Sequence, residues 1–168
     1  MLDNTKKNSY VKNQITEALI ILLKEKELQD ISITEITNKA EVSRISFYRN
    51  FNHKETVIKE YMFSTLNDWN KQHSKKLQHT EDDILGDIFA YITEYKEFYL
   101  LLRDRGLFYF LKDIIIATLD PKKEYPNFWA YTAAFIANGI YGWIEEWILR
   151  GMQESGEEMI ELLKNRNL

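Results

Sequence analysis

The chain of 168 residues contains no cysteine. Disulfide bonds and cysteine-ligated metal sites are therefore excluded. The three histidines, His53, His73 and His79, lack the spacing of metal ligands, so we expect neither a metal nor a cofactor. No apolar run approaches the roughly 18 residues that span a membrane, and the polar start MLDNTKKNSY has no signal-peptide pattern. These absences favour a cytoplasmic protein without a membrane partner.

Proline and glycine are also scarce, with two and six residues respectively. Helix breakers are therefore few, and apolar residues recur at helical spacing along most of the chain. Neither a strand pattern nor an internal repeat is present. A chain of this length can bury a substantial core. We therefore predict an all-α fold.

Residues 31–51, ISITEITNKAEVSRISFYRNF, predict two short helices joined by a tight turn. Ser32 is placed as the N-cap of the first helix, and Glu35 three residues later closes a capping box. Ser43 caps the second helix directly after the turn at Glu41 and Val42. Such a pair of helices is the helix-turn-helix unit, whose second helix enters the DNA major groove.

The second of these helices has two different faces. At 100° per residue, Phe47 and Phe51 share one face, which we expect to point towards a core. Arginine can bind a guanine edge bidentately, isoleucine can contact a thymine methyl group, and serine and tyrosine can hold phosphates. Side chains of these types make up the other face: Arg44, Ile45, Ser46, Tyr48 and Arg49.

The joint spacing of four short motifs over residues 5–61 resembles the DNA-binding domain of the TetR family of bacterial transcriptional regulators. The motifs are Thr34-Glu35-Ile36, Ala40-x-Val42-Ser43-Arg44, Phe47-Tyr48-x-x-Phe51 and Lys54-Glu55. The resemblance implies that Tyr48 and Lys54 hold phosphates and that Asn50 lies in or near the groove. Glu41 departs from the family, which often has glycine in the turn. The predicted DNA-binding residues are Ser32, Thr34, Ser43, Arg44, Ile45, Ser46, Tyr48, Arg49, Asn50 and Lys54.

The net charge of −4 is unevenly distributed. Residues 1–60 hold 10 basic and 9 acidic side chains, whereas residues 61–168 hold 12 and 17. Between Lys39 and Lys59 there are five basic side chains and two acidic ones. Because phosphate neutralisation is local, an acidic total is compatible with DNA binding by this segment.

We predict a helix-turn-helix DNA-binding domain over residues 1–55 and a helical ligand-binding and dimerisation domain over residues 56–168. The second domain contains a long helix, from about Tyr125 to Arg150, that is apolar on nearly all sides, which indicates burial. A second copy of the chain is the simplest partner, and two-fold symmetry fits a palindromic operator. The predicted dimer interface comprises Ile136, Ile140, Trp143, Ile144, Trp147, Met159, Leu162 and Leu163.

The second domain is also rich in aromatic residues. Rings mixed with tyrosine hydroxyls suit a small apolar or aromatic ligand, although the same rings can form a solid core. We place the pocket between the connecting helix, residues 52–77, and the aromatic helices that follow it. Its predicted lining is Trp69, Phe89, Tyr95, Phe98, Phe108, Phe128, Trp129 and Tyr131.

The sequence thus predicts a TetR-type regulator, specifically a homodimeric repressor that a small molecule releases from a DNA operator. One alternative stays open, in which the C-terminal domain binds a protein partner and has no pocket. Residues 141–163, YGWIEEWILRGMQESGEEMIELL, loosely resemble a domain found in some regulators of dihydroxyacetone kinase operons. An enzyme is not expected, because the sequence has no glycine-rich phosphate loop, zinc motif or nucleophile elbow.

Overall fold

The structure, a computed structural model, describes residues 2–73, 81–119 and 126–165. Within these ranges the chain forms nine α-helices and one 3₁₀ turn, Leu28–Asp30, and no strand, which confirms the predicted all-α class. The helices are α1 (Leu2–Leu23), α2 (Ile33–Lys39), α3 (Arg44–Asn50), α4 (Lys54–His73), α5 (Glu81–Glu94), α6 (Lys96–Asp104), α7 (Phe110–Leu119), α8 (Asn127–Leu149) and α9 (Gly156–Lys164). The predicted extensions of α4 to Leu77 and of α8 back to Tyr125 lie outside the described residues.

The chain divides into two compact units, Met1–Ser64 and Thr65–Leu168. The division falls inside α4, several residues beyond the boundary that we placed after residue 55. The first turns of α4 belong to the first unit because they carry buried apolar side chains, namely Val57, Ile58 and Met62. The remainder of α4 belongs to the second unit.

In the first unit, α1, α2 and α3 contact one another around a small apolar core. The buried side chains of this core include Ile15 and Leu19 of α1, Ile36 of α2, Phe47 of α3, and Phe51, which directly follows α3. Burying a side chain of this size contributes about 1.5–3 kcal/mol. The predicted inward face of α3 is therefore the face that anchors this helix to the unit.

Both helices of the predicted helix-turn-helix begin at the expected caps. The Glu35 N–H donates to the Ser32 hydroxyl at 3.1 Å, and the Ser32 N–H donates to the Glu35 carboxylate at 2.9 Å. At α3, the Ser46 N–H donates to the Ser43 hydroxyl at 3.1 Å. These bonds satisfy N–H groups that a helix start leaves without partners, so they fix where each helix begins.

In the second unit, α5 packs against α6 and α9, and α8 packs against α6 and α7. The approach of α5 to α9 is close: a Cβ atom on Gly86 would lie 2.9 Å from Ile160 Cδ1, and one on Gly156 would lie 3.3 Å from Phe89 Cβ. Nearby, the ring of Trp147 on α8 stands edge-on to Phe89, with centroids 5.4 Å apart. One face of α8 is therefore used inside the chain.

Candidate nucleic-acid interface

The outer face of α3 is open to solvent. Ile45 is 73% exposed and Tyr48 is 52% exposed, and the side chains of Arg44 and Arg49 are exposed as well. Among the residues that the structure describes, no carboxylate pairs with either arginine. Both guanidinium groups can therefore bind bases or phosphates without first breaking an ion pair.

Several of the other predicted DNA-binding side chains have structural contacts of their own. Ser32 and Ser43 cap α2 and α3, and the Ser43 and Ser46 hydroxyls lie 3.0 Å apart. The Asn50 Nδ2 donates to the Ser46 carbonyl at 2.7 Å, so this amide is held against its own helix. Thr34, on the outer side of α2, is exposed. Within α3 itself, Arg44, Ile45, Tyr48 and Arg49 are exposed, whereas Ser46 and Asn50 are half-buried.

Lys54, the predicted phosphate contact, has partners inside the unit when no DNA is bound. Its ammonium group donates to the carbonyl oxygens of Leu28, of Gln29 at 3.1 Å and of Ile31 at 2.8 Å. An ammonium has three donors and no acceptor. In the DNA-free chain these donors bind carbonyl oxygens of the turn that precedes α2.

The turn between α2 and α3 contains a backbone conformation that favours glycine. Glu41 has a φ of 54°, in the left-handed region. A side chain in this region costs roughly 1–2 kcal/mol. Glu41 stands where the family often has glycine. The positive φ explains that preference, because glycine adopts this conformation without steric cost.

We expect Glu41→Gly to raise the free energy of unfolding by up to about 1 kcal/mol, because the gain from relieving the left-handed strain exceeds the added entropy of glycine in the unfolded chain. We also expect it to tighten DNA binding, because the exposed carboxylate is removed from the turn before α3. Urea denaturation and DNA titration measure the two effects.

Glu41→Gln is the matched control, since it removes the charge and keeps the strained backbone. It should tighten DNA binding without increasing stability. If Gln stabilises the protein as much as Gly does, the carboxylate and not the backbone is the source of the cost.

The capping box at the start of α2 is also an electrostatic site. The pKa of Glu35 is lowered from 4.5 to about 2, first by the hydrogen bond from Lys26 and then by the N–H and hydroxyl groups of Ser32. The pKa of Lys26 is raised by the same pairing with Glu35. Charged Glu35 therefore favours the folded state.

We expect this contribution to stability to be fully present above pH 4.5 and to be lost as the pH falls towards 2, because protonation removes the charge that Lys26 and Ser32 stabilise. The measurement is the urea midpoint against pH for the wild type and for Glu35→Gln, which keeps a capping oxygen. The two curves should differ near neutral pH and converge in acid. A constant difference at every pH would contradict the assignment.

The predicted ligand-pocket residues separate into two groups. Trp69, Phe89, Phe98 and Phe108 are buried and Tyr95 is half-buried. Edge-on contacts link the buried rings, including those of Trp69 with Tyr91, of Tyr91 with Tyr99 and of Tyr99 with Phe108. The other three residues stand apart from this core, exposed on the first turns of α8: Phe128, Trp129 and Tyr131.

A partly open cavity of about 210 Å³ lies on another side of the aromatic core. Of the predicted pocket residues, Phe108 alone lines it. The Phe108 ring stacks on Tyr141, whose hydroxyl donates to the Glu145 carboxylate at 2.6 Å. Burial, followed by the bond to Glu145, raises the pKa of Tyr141. The full lining is Arg103, Gly106, Phe108, Tyr109, Tyr141, Glu145, Ile148 and Leu149.

Sequence reasoning did not include Tyr141 and Glu145 in this site. Their four-residue spacing on a helix was a usable signal, since it places both side chains on one face. Arg103 closes one side of the cavity, where its Nη1 donates to the Ile148 carbonyl at 2.9 Å and its guanidinium pairs with Asp104 at 2.7 Å. Its charge is thus largely engaged within the chain.

The predicted dimer interface must be corrected on α8 and α9. Ile144, Trp147 and Met159 are buried inside the single chain and present no surface to a second copy. The Trp147 indole N–H donates to the Glu154 carbonyl at 3.1 Å, so its polar group is also used within the chain. The other predicted residues are exposed or half-buried: Ile136, Ile140, Trp143, Leu162 and Leu163.

The open side of α8 lies opposite the buried one. At 100° per residue, one set of residues falls within about 40° of a common line, about half a turn from Ile144. All of these residues are exposed, and we call them the exposed stripe of α8: Phe128, Tyr131, Phe135, Gly139, Gly142, Glu146 and Leu149. The Glu146 carboxylate pairs with Arg150 at 2.7 Å. The predicted interface was centred about 120° away from this stripe.

Among the described residues, no group of acidic, histidine or cysteine side chains has the arrangement of a metal site. His79 lies outside these residues. None of the described helices combines the length and the apolar character needed to cross a membrane.

Comparison with known proteins gives three matches. Residues 79–166 match the family TetR_C_8, described as a transcriptional regulator C-terminal region. Over 113 residues the chain is 29% identical to the HTH-type transcriptional regulator YxbF of Bacillus subtilis strain 168, covering 60% of this chain and 29% of that relative. A TetR transcriptional regulator from Streptococcus agalactiae 2603V has a similar fold, with a TM-score of 0.63 and 18% identity over 96% of this chain and 95% of that one.

The family region spans more than half of the 168 residues. The remaining N-terminal part holds the two capped helices and the exposed face of α3. The resemblance that the four sequence motifs suggested is thereby confirmed, and the chain belongs to the TetR family of transcriptional regulators.

Proposed function

We propose that the protein is a homodimeric repressor that binds a palindromic operator through α3 and is released from it by a small molecule. In this proposal the chain catalyses no reaction. Binding to chromosomal DNA would place it in the bacterial cytoplasm. The observation that carries the proposal is the exposed stripe of α8.

The composition of this stripe suits contact with a second copy. Phe128, Tyr131 and Phe135 are 68%, 71% and 80% exposed. Large exposed apolar patches on a chain usually mark an interaction site. Further along the stripe, a Cβ built on Gly139 or Gly142 would have no atom within 4 Å in the described part of the chain outside the adjacent backbone of α8. Glycines on an open helix face let another helix approach closely, and the flanking rings then supply buried area.

A two-fold dimer would carry two copies of α3. Such a dimer matches a DNA site whose two half-sites are related by the same symmetry, about 34 Å or one helical turn apart. Each open α3 supplies two guanidinium groups, from Arg44 and Arg49, that pair with no carboxylate of the described residues. A dimer therefore brings four guanidinium groups to the DNA, where they can neutralise phosphates although each chain has a net charge of −4.

The cavity beside Phe108 and Tyr141 is the candidate ligand site. Its volume of about 210 Å³ is below the roughly 300–1,000 Å³ of most ligand pockets, so the ligand is small. The Phe108 ring contacts the ring of Tyr99. The Tyr99 hydroxyl donates to the Tyr91 hydroxyl at 3.2 Å. The Tyr91 hydroxyl in turn lies 2.8 Å from Thr65 Oγ1 on α4.

This chain of contacts gives the ligand a route to α4, the helix in which the two units divide. A ligand that prefers one arrangement of these side chains shifts the population of the regulator towards that arrangement. In this proposal the ligand-bound population has the lower DNA affinity.

The proposal can be tested by incubating the purified protein with fragmented DNA from its source organism and sequencing the bound fragments. We expect inverted repeats whose half-sites are one helical turn apart. Bound sequences with a single, unrepeated motif would reject the dimeric operator. Genes next to the recovered sites then indicate small molecules to test for release of the protein from that DNA.

A second candidate is supported by the position of the aromatic residues. The rings that we predicted to line a pocket are largely core, whereas Phe128, Trp129, Tyr131 and Phe135 are exposed near the start of α8. These rings could hold a protein partner that controls the regulator in place of a ligand. The discriminating variant is Trp129→Ser, since Trp129 is exposed outside the stripe. If Trp129→Ser still dimerises but is no longer regulated, control by a protein partner would be favoured over control by a small molecule.

A further inference from the structure

The cavity beside Tyr141 is lined in part by aromatic rings. Phe108, Tyr109 and Tyr141 all contribute to it. The Phe108 and Tyr141 rings stack, with centroids 5.6 Å apart and planes inclined by 24°. The face of an aromatic ring is the negative part of its quadrupole and attracts a cation within about 6 Å of the centroid. The aromatic part of the lining therefore suits a positively charged ligand.

A carboxylate stands beside these rings. Glu145 is half-buried, and it accepts the Tyr141 hydroxyl at 2.6 Å. A carboxylate has two oxygens with about four lone-pair sites, so this one bond leaves it able to bind a further group. No lysine or arginine of the described residues forms an ion pair with Glu145. A cation in the cavity would supply the missing opposite charge.

The end of α8 adds to the negative potential. Glu145, Ile148 and Leu149 line the cavity from the last turns of this helix, and a helix C-terminus carries about half a negative elementary charge. Arg103 is the basic residue among the described lining. Its guanidinium pairs with Asp104 at 2.7 Å and donates to the Ile148 carbonyl at 2.9 Å. With Arg103 balanced by Asp104, the charge of Glu145 remains.

One basic side chain already lies near the Tyr141 ring. The Lys112 Nζ is 5.8 Å from the ring centroid, although Lys112 does not belong to the lining. This position shows that the ring can be approached by a cation. It also makes Lys112 a competitor of a cationic ligand, and a lysine ammonium on its flexible stem can turn away when the ligand binds.

We propose that this cavity binds a small organic ammonium ion, held by the rings of Phe108 and Tyr141 and by the carboxylate of Glu145. The proposal rests on the proposed function in taking this cavity as the ligand site, and it adds the charge of the ligand. An anionic ligand would require Arg103 to leave Asp104. The volume of about 210 Å³ is below that of most ligand pockets, so the ion is small.

The test compares three compounds of similar shape and different charge, namely tetramethylammonium, tert-butyl alcohol and pivalate. Each is titrated into the wild-type protein while methyl signals are followed by NMR. We expect tetramethylammonium to bind about tenfold or more tightly than the alcohol, since ring and carboxylate both act on its charge, and pivalate to bind most weakly. The signals of Ile148 and Leu149 should move, and those of Ile15 and Ile36 in the first unit should not.

Equal affinities for tetramethylammonium and the alcohol, tighter binding of pivalate, or no binding of tetramethylammonium would each overturn the proposal. This comparison uses the wild-type protein, so it decides the question even if a variant does not fold.

Two variants identify the charges involved. Glu145→Gln keeps an acceptor for the Tyr141 hydroxyl and removes the charge, so tetramethylammonium should bind about tenfold or more weakly. Lys112→Gln should bind it more tightly, because a like charge near the ring is removed. Glu157→Gln, exposed on α9 and outside the lining, is the matched control and should bind as the wild type does. Unchanged binding in Glu145→Gln would overturn the proposal.

These titrations contain no DNA, so their outcome is separate from that of the repressor function. If the protein binds inverted repeats but not tetramethylammonium, the cation site is wrong and the DNA-binding function stands. If tetramethylammonium moves the Ile148 and Leu149 signals but no inverted repeat is recovered, the cation site stands and the proposed repressor function is wrong.

Discussion

Gly142→Glu is expected to turn the dimer into a monomer and to reduce operator binding by at least 100-fold. Gly142 lies in the exposed stripe of α8, and beyond its own stretch of helix no atom of the described residues lies within 4 Å of a Cβ built at this position. Two-fold symmetry would bury two such carboxylates without partners, at a cost of several kcal/mol. Each monomer would then hold only one half-site.

The same substitution should stabilise the folded monomer, so loss of the dimer can be distinguished from unfolding. Glycine inside a helix is about 0.8–1 kcal/mol less favourable than a good helix former, and glutamate has open space around it here. Sedimentation equilibrium should give twice the chain mass of 20.1 kDa for the wild type and the single mass for the variant, while helix content is maintained.

Ala134→Glu is the matched control, because it places the same charge on an exposed position of α8, about a quarter turn from the stripe. It should remain a dimer. If the Gly142→Glu variant is still a dimer, the exposed stripe is not the dimer interface. If the wild-type protein is a monomer at micromolar concentration, the protein is not a homodimer.

Arg49→Ala is expected to weaken binding to the best site by about 1–3 kcal/mol and to relax the preference at one base pair of each half-site. Arg49 is exposed on α3 beside Ile45, and no carboxylate in the described part of the chain competes for its guanidinium. A bidentate contact with guanine is the interaction lost.

The measurement is binding to a panel of duplexes, each with one base pair changed. Tyr48→Phe is the control, since its hydroxyl is expected to contact the backbone and its loss should weaken binding equally on all sequences. An Arg49→Ala variant that loses the same affinity on every duplex would show that Arg49 binds a phosphate and does not read a base.

The helix-turn-helix could be predicted closely from the sequence because its determinants are local. Ser32 with Glu35, and Ser43 after the turn, set the helix starts through contacts between residues three apart. The spacing of Phe47 and Phe51 alone defines the inner face of α3. The strain at Glu41 was indicated only by comparison with a family that has glycine there.

The interface of α8 could not be placed in the same way. This helix has apolar residues on two faces, and periodicity does not tell which face packs inside the chain. That choice depends on Phe89, which lies 58 positions before its ring partner Trp147 and makes that tryptophan part of the core. The opposite face, with two glycines and exposed rings, is the one that we propose for contact with a second copy.

Long-range contacts also explain two further features. The carbonyls that Lys54 binds lie more than 20 residues away, and no local pattern predicts such a contact. The pocket rings were chosen for their chemistry, but Phe128, Trp129 and Tyr131 fall at the exposed start of α8, away from the buried rings. Of the predicted lining residues, Phe108 is the one that borders the cavity beside Tyr141.

The most direct test of a homodimer bound to a palindromic operator is the mass of the protein–DNA complex on a duplex recovered from the source genome. Native mass spectrometry counts the protein chains on each duplex. We expect two chains of 20.1 kDa on one inverted repeat, no complex of comparable affinity on a single half-site, and loss of the two-chain complex in Gly142→Glu. One chain bound at full affinity would contradict the dimeric operator complex, and a two-chain complex that survives Gly142→Glu would contradict the interface at the exposed stripe of α8.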